Sequence, residues 1–192
     1  MYNVHDDLKD KTVEELKVIS DNDRLPYAIC FLNLEYDNNI GNGIRSAHIL
    51  GAKKVLIFGK NKVDTRSTVG AHNYIDYVRY NYNDFSNEKE MTDNFLSMCY
   101  SNKIFPIFID KTYKSKNLDN FNKIIIDYNN HEFRNDFIFC FVFGNEKNGI
   151  PECLINTTNE VYHLEQRGVI RSLNVASAAA ITMYHVSKYL KH

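Results

Sequence analysis

Three short stretches hold the residue types from which a reactive site can be built. In DNNIGNGIR, Asn39 and Arg45 flank Gly41 and Gly43. In FGNEKNGI, Asn145 and Glu146 lie between Gly144 and Gly149, with Ile150 next; in LEQRGVIRSLN, Leu164 and Gln166 precede Ser172, Leu173 and Asn174. A guanidinium is a permanent cation with a planar fork of donors, suited to a phosphate or a developing oxyanion. Glycine lets a backbone approach a ligand closely, and the N–H and C=O groups exposed there can read a heterocycle's edge. Each stretch alone is a weak signal, because glycines also simply make turns.

The elements that must carry these stretches follow from the apolar pattern. Thr12 and Glu15 have capping-box spacing ahead of a helix over VEELKVIS, and Pro26 closes that segment. YAICFLNL, KKVLIFG, IFPIFID, FIFCFVFG and VYHLEQ read as strands, with FIFCFVFG the clearest. Helices are expected after the DNNIGNG turn, from Ser86 to Tyr100, after Pro151 and over SLNVASAAAITMYHVSKYL, the last reading as the most buried. The segment NLDNFNKIIIDYNNHEF fits either a helix or a short strand. Continuous apolar strands alternating with helices predict an α/β domain with a mostly parallel sheet covered on both faces. Loops leaving the carboxyl ends of such strands collect along one edge, so the three stretches are expected to meet there.

The three stretches in this order resemble the SpoU/TrmH family of RNA ribose 2′-O-methyltransferases, in the SPOUT superfamily. The resemblance runs from about Arg24 to the C-terminus and rests on Asn39-x-Gly41-x-x-x-Arg45, Gly144-Asn145-Glu146-x-x-Gly149-Ile150, and Ser172-Leu173-Asn174 entering an alanine-rich helix. It implies a deep C-terminal trefoil knot that binds S-adenosylmethionine, with residues 1–26 as an N-terminal helix and tether and 27–192 as the methyltransferase domain. It further implies that Arg45 stands at the reacting 2′-hydroxyl beside Asn39, with Glu146, Ser172 and Asn174 lining the same pocket. The cofactor would lie against Ile109, Gly144, Asn145, Gly149, Ile150, Leu164, Gln166, Ser172 and Leu173. Leu164-Glu165-Gln166 stands where the family commonly has Ile-Pro. Family members form dimers with the site near the subunit boundary, so a homodimer acting on RNA is implied. GVIRSLNV is similar to the third motif of tRNA guanosine ribose methyltransferases, which makes tRNA the preferred substrate and rRNA the alternative.

Composition narrows the rivals. The 192 residues, 44% hydrophobic, can fill one core. The N-terminus lacks the apolar run of a signal peptide and no apolar run is long enough for a bilayer, so a soluble cytoplasmic protein is expected. A formal net charge of −1 argues against binding nucleic acid by bulk electrostatics, although Lys53, Lys54, Lys60, Lys62 and Arg66 crowd one segment opposed only by Asp64. Cys30, Cys99, Cys140 and Cys153 show no CxxC pairing and the histidines no ligand spacing, so no metal site is expected. Gly41-x-Gly43 resembles a dinucleotide-binding turn, but Ser46 holds the third glycine position and Lys60 follows the second strand where an acid belongs. A catalytically silent knotted dimer that holds RNA or cofactor is the second reading, and the complete set of polar residues weighs against it.

Overall fold

The computed structural model describes residues 3–81, 87–130 and 136–191. Seven strands form one sheet: β1 (Leu25–Leu32), β2 (Ala52–Phe58), β3 (Asp76–Tyr80), β4 (Ile104–Ile109), β5 (Lys116–Asn117), β6 (Ile138–Phe143) and β7 (Val161–His163). Their order is β3-β2-β1-β6-β4-β7-β5, and every pairing is parallel. Among the described residues, seven α-helices accompany them: α1 (Val13–Asn22), α2 (Asp37–Ile49), α3 (Thr65–Thr68), α4 (Glu88–Ser101), α5 (Phe121–Asn129), α6 (Glu152–Ile155) and α7 (Val175–Ser187). The expected α/β architecture is therefore the observed one.

Successive side chains of a strand point to opposite faces, so the unbroken apolar runs fill two cores. Tyr27, Ile29 and Phe31 of β1 with Phe139, Phe141 and Phe143 of β6 meet Ile40, Ile44, Phe121, Ile125 and Met183 from α2, α5 and α7. Ala28, Cys30, Cys140 and Val142 face the other way, against Met91, Phe95 and Leu154 from α4 and α6. The cysteines are free thiols, and burial pushes Cys30 and Cys99 well above the ordinary range.

Local signals hold at α1, where Thr12 and Glu15 close a reciprocal capping box. Pro26 does not close that helix; it is the second residue of β1. The ambiguous segment is helical from Leu118 to Asn129, as α5 preceded by a 3-10 turn, and its last three residues lie outside the described ones. Pro151 is the N-cap of α6, one residue outside the expected first turn. The largest departure is at DNNIGNG, which is no turn: α2 starts at Asp37 and runs through both glycines. A Cβ on Gly43 would lie 2.3 Å from the Phe31 ring, and one on Gly41 would lie 1.8 Å from Ser67 Oγ. Close packing of α2 on β1 and α3 therefore outweighs the roughly 1 kcal/mol helix penalty of each glycine. Arg45 is consequently the ninth residue of the helix, well beyond the first turn where a helix N-terminus would disfavour a cation.

The N-terminal helix is tied to the sheet through Arg24, whose side chain is 5% exposed. Its Nη2 donates to Ser20 Oγ at 2.5 Å and the Tyr74 carbonyl at 2.7 Å, and lies 3.0 Å from His48 Nδ1. Burial first, and the Arg24 cation second, hold the His48 imidazole down at about 4, with Asp21 opposing. In the unfolded chain His48 binds its proton near its ordinary value of about 6.5, so between those limits the unfolded state holds more protons. The neutral ring's contribution is complete above about pH 6.5 and is lost as pH falls toward about 4. Urea midpoints measured at about pH 7 and about pH 5 should therefore drop further in the wild type than in His48→Gln. Equal drops would remove His48 as a source of acid sensitivity.

Candidate functional site

The site assembles at the carboxyl edge of the sheet, where α2 and α7 begin beside the loop that follows β6. Asn174 is the N-cap of α7, and its Oδ1 accepts from the N–H groups of Ala176 at 2.9 Å and Ser177 at 3.2 Å. A helix start presents only donors, so the amide has one possible orientation. Its Nδ2 therefore faces Asn39, donating to Oδ1 at 3.0 Å. Asn39, buried, must then turn its own Nδ2 to Glu146, which accepts through Oε1 at 2.8 Å. The second carboxylate oxygen, Oε2, accepts from the Glu35 N–H at 2.8 Å. The end of α7 thus sets the direction of a relay that finishes by holding Glu146 as an acceptor.

Around Glu146 the loop folds tightly on itself. Asn145 and Gly149 exchange backbone hydrogen bonds of 3.0 and 2.9 Å. Asn145 Oδ1 accepts from the Lys147 and Asn148 N–H groups, and its Nδ2 donates to the Asn33 carbonyl at 2.7 Å. Gly149 has a φ of +69°, a left-handed conformation that favours glycine. Asp110, directly after β4, accepts the Ile150 N–H at 2.8 Å. A Cβ on Gly144 would lie 2.1 Å from the Gly149 carbonyl carbon. Within the chain, Gly144 lets two stretches of this loop approach each other.

The third stretch is open. Ile109 and Leu164 pack in the same apolar cluster, and Gln166 is partly buried. Ser172 and Leu173 are exposed. Among the described residues, no backbone group of 165–173 is hydrogen-bonded to another part of the chain. Glu165, beside the expected cofactor wall, pairs with Arg167 at 3.6 Å and is exposed. Unpaired backbone donors and acceptors of this kind can bind the polar edge of a ligand.

Arg45 is not part of the relay. Six residues after Asn39, it lies about 9 Å further along the helix and on another face. It is exposed and lines a cleft of about 560 Å³ with Arg24, His48, Thr68 and Tyr74. No hydrogen bond or ion pair joins it to a described residue. The structure thus brings Asn39, Glu146 and Asn174 together, with Asn145, Gly144, Gly149 and Ile150 in the adjoining loop, and leaves Arg45, Ser172 and Leu173 outside the hydrogen-bonded set.

Sequence reasoning missed Asn33, Glu35, Asp110 and Lys147. Glu35 acts through its backbone N–H and also pairs with Lys147 Nζ at 2.8 Å. Asp110 had a usable signal, being a charged residue at the carboxyl end of a parallel strand. Glu35 and Asn33 had none, since their roles depend on which loops meet.

The fold is that of known RNA-modifying enzymes. The structure matches AviRb, a SpoU methyltransferase of Streptomyces viridochromogenes solved with AdoMet, with a TM-score of 0.64 and 21% identity over 86% of this chain and 61% of that one. It matches the TrmH/SpoU tRNA modifying enzyme of A. aeolicus with a TM-score of 0.70 and 16% identity over 92% of this chain and 81% of that one. The AdoMet-bound rRNA methyltransferase of Sinorhizobium meliloti gives 0.66 and 19% over 92% and 61%. The chain thus spans about three fifths of the length of AviRb and of the S. meliloti enzyme. None of the curated proteins compared matches it. The model of the SpoU rRNA Methylase family matches residues 26–184, nearly the whole sheet and all three polar stretches. The chain belongs to that family.

Proposed function

We propose that the protein is an S-adenosylmethionine-dependent RNA ribose 2′-O-methyltransferase that works on tRNA. The observation that carries this reading is the relay Asn174–Asn39–Glu146, which joins all three motif stretches at one edge of the sheet. S-adenosylmethionine, when bound, supplies an electrophilic methyl group on a sulfonium. The chain's residues have to hold and orient the two partners. The Gly144–Ile150 loop and the unpaired backbone of 165–173 would bind the cofactor, with Ile109 and Leu164 as apolar floor. Ser172 and Asn174 would orient the ribose end together with Asn39 and Glu146. Arg45 would hold the adjoining phosphate bidentately and stabilise the developing alkoxide. A guanidinium, with a pKa above about 12, does not act as the base, so the proton leaves to phosphate or water.

Two structural features support the assembly this needs. Consecutive strands β4 and β5 flank β7, so residues 110–115 span its carboxyl end, and Ser115 Oγ lies 3.0 Å from His163 Nδ1. That arrangement supports threading of the C-terminal segment as a trefoil knot. On α7, expected to be the most buried helix, Ser177, Ile181 and Tyr184 form an exposed row, and Val169 and Ile170 before it are 101% and 77% exposed. A largely apolar exposed surface that adjoins Asn174 in the chain fits a homodimer in which one protomer's Arg45 completes its partner's pocket.

Transfer of labelled methyl from S-adenosylmethionine to total RNA, fractionated into tRNA and rRNA, tests the reading. Ribose label in the tRNA fraction is the expected result. Label in rRNA would replace the substrate. Cofactor binding without label on either fraction would support the silent binding dimer instead.

A further inference from the structure

The five cations crowded between Lys53 and Arg66 do not form one patch. Lys53 and Lys54 open β2, whereas Lys60 and Lys62 follow its end, about 20 Å away at the opposite edge of the sheet. Lys54 is paired in register with Asp76, which also holds Lys17 at 2.7 Å. At the carboxyl edge the reverse occurs. Arg79, from the outer strand β3, donates through Nη2 to the Lys60 carbonyl at 2.6 Å and so adds a distant cation to Lys60 and Lys62. The one carboxylate within that loop, Asp64, is engaged by Arg66 at 3.0 Å.

This cationic edge is joined to the site by direct contacts. Asn61, between the two lysines, donates to the carbonyls of Leu34 at 2.9 Å and Glu35 at 2.7 Å. Glu35 in turn donates to Glu146. Between them Tyr36, at the start of α2, is 56% exposed, a ring of the kind on which a base stacks. A chain with a net charge of −1 thus carries three exposed cations and an open aromatic ring on segments that contact one another and its polar centre.

We infer that Lys60, Lys62 and Arg79 form a phosphate track that leads the RNA strand from the edge of β3 past Tyr36 into the Asn39–Glu146 site. The inference rests on the RNA-methyltransferase reading and adds the path of the substrate to it. Backbone phosphates would be held by the cations and a flanking base by the Tyr36 ring, so the track selects single-stranded or loop RNA rather than a sequence.

The test uses the full chain, fluorescently labelled bulk tRNA, and a salt series. Lys60→Gln/Lys62→Gln/Arg79→Gln should weaken RNA binding about tenfold or more at low salt and reduce the slope of log Kd against log salt by about 2, from three lost contacts at about 0.7 each. Affinity for S-adenosylmethionine should be unchanged, which also reports an intact fold. Lys60→Gln/Lys62→Gln, which leaves the Arg79 contact in place, should give about two thirds of that slope change. Lys53→Gln/Lys54→Gln, with two charges removed from the far edge, should bind RNA as the wild type does. Wild-type affinity and slope in the triple variant, or an equal loss in the far-edge variant, would overturn the track alone. A wild-type protein that binds neither S-adenosylmethionine nor RNA would overturn the functional reading beneath it.

Discussion

Arg45→Ala is expected to lower methyl transfer to RNA by about 10²- to 10³-fold, the usual effect of removing one donor to a developing oxyanion. The structure separates this loss from two trivial causes. Arg45 is exposed and joined to no described side chain, so its removal should change stability by no more than about 0.5 kcal/mol. The cleft it lines includes no residue of the Gly144–Ile150 loop or of 165–173, so the cofactor's Kd should stay within about twofold. The loss should fall on kcat, because the contact strengthens as charge develops on the ribose oxygen. Arg45→Lys sharpens the argument: a point charge keeps the Coulomb attraction and loses the bidentate fork. Partial activity, about tenfold below wild type, would fit a fork on phosphate, whereas full turnover would reduce Arg45 to a general cation. Full turnover in Arg45→Ala would remove it from the chemistry altogether.

The same residue shows where sequence reading stops. The type and spacing of Asn39 and Arg45 were legible, but their placement on two faces of one helix was not, because Gly41 and Gly43 read as a turn. Their reason lies in Phe31 and Ser67, which only the packed structure brings against them. Strands β1, β4 and β6 were legible because burial on both faces leaves an unbroken apolar run. Strand β3 was missed because it lies at the edge with Asp76, Tyr77, Val78 and Arg79 exposed, and β5 because two residues carry no period. The run of alanines in α7 reads as uniformly buried, and the exposed row through Ser177, Ile181 and Tyr184 appears only once α2 occupies the other side. Members of the polar relay could be named from their motifs. Its direction could not, because that depends on Asn174 spending its one acceptor on the start of α7.

Gly144→Ala should be the most damaging single methyl in the protein. The added Cβ would lie 2.1 Å from the Gly149 carbonyl carbon and 2.3 Å from both the Gly149 oxygen and the Ile150 nitrogen. All three are backbone atoms, so no side-chain rotation relieves the overlap, and the loop itself must open. Opening breaks the paired Asn145–Gly149 hydrogen bonds and pulls Ile150 from Asp110. It also displaces Glu146, which leaves the buried Asn39 amide without its acceptor. A cost of about 3 kcal/mol or more follows from overpacking together with an unsatisfied buried donor. Because the same loop is the proposed cofactor wall, affinity for S-adenosylmethionine should fall by at least about 100-fold, a cost of about 2.7 kcal/mol. Gly168→Ala supplies the comparison, since nothing lies within 4 Å of its Cβ position in the third stretch. Thermal melting and cofactor calorimetry on both variants should show Gly168→Ala melting as the wild type does and Gly144→Ala losing stability and ligand together. If Gly144→Ala instead melts and binds as the wild type does, the close approach of Gly144 to Gly149 is wrong, and with it the position assigned to Glu146.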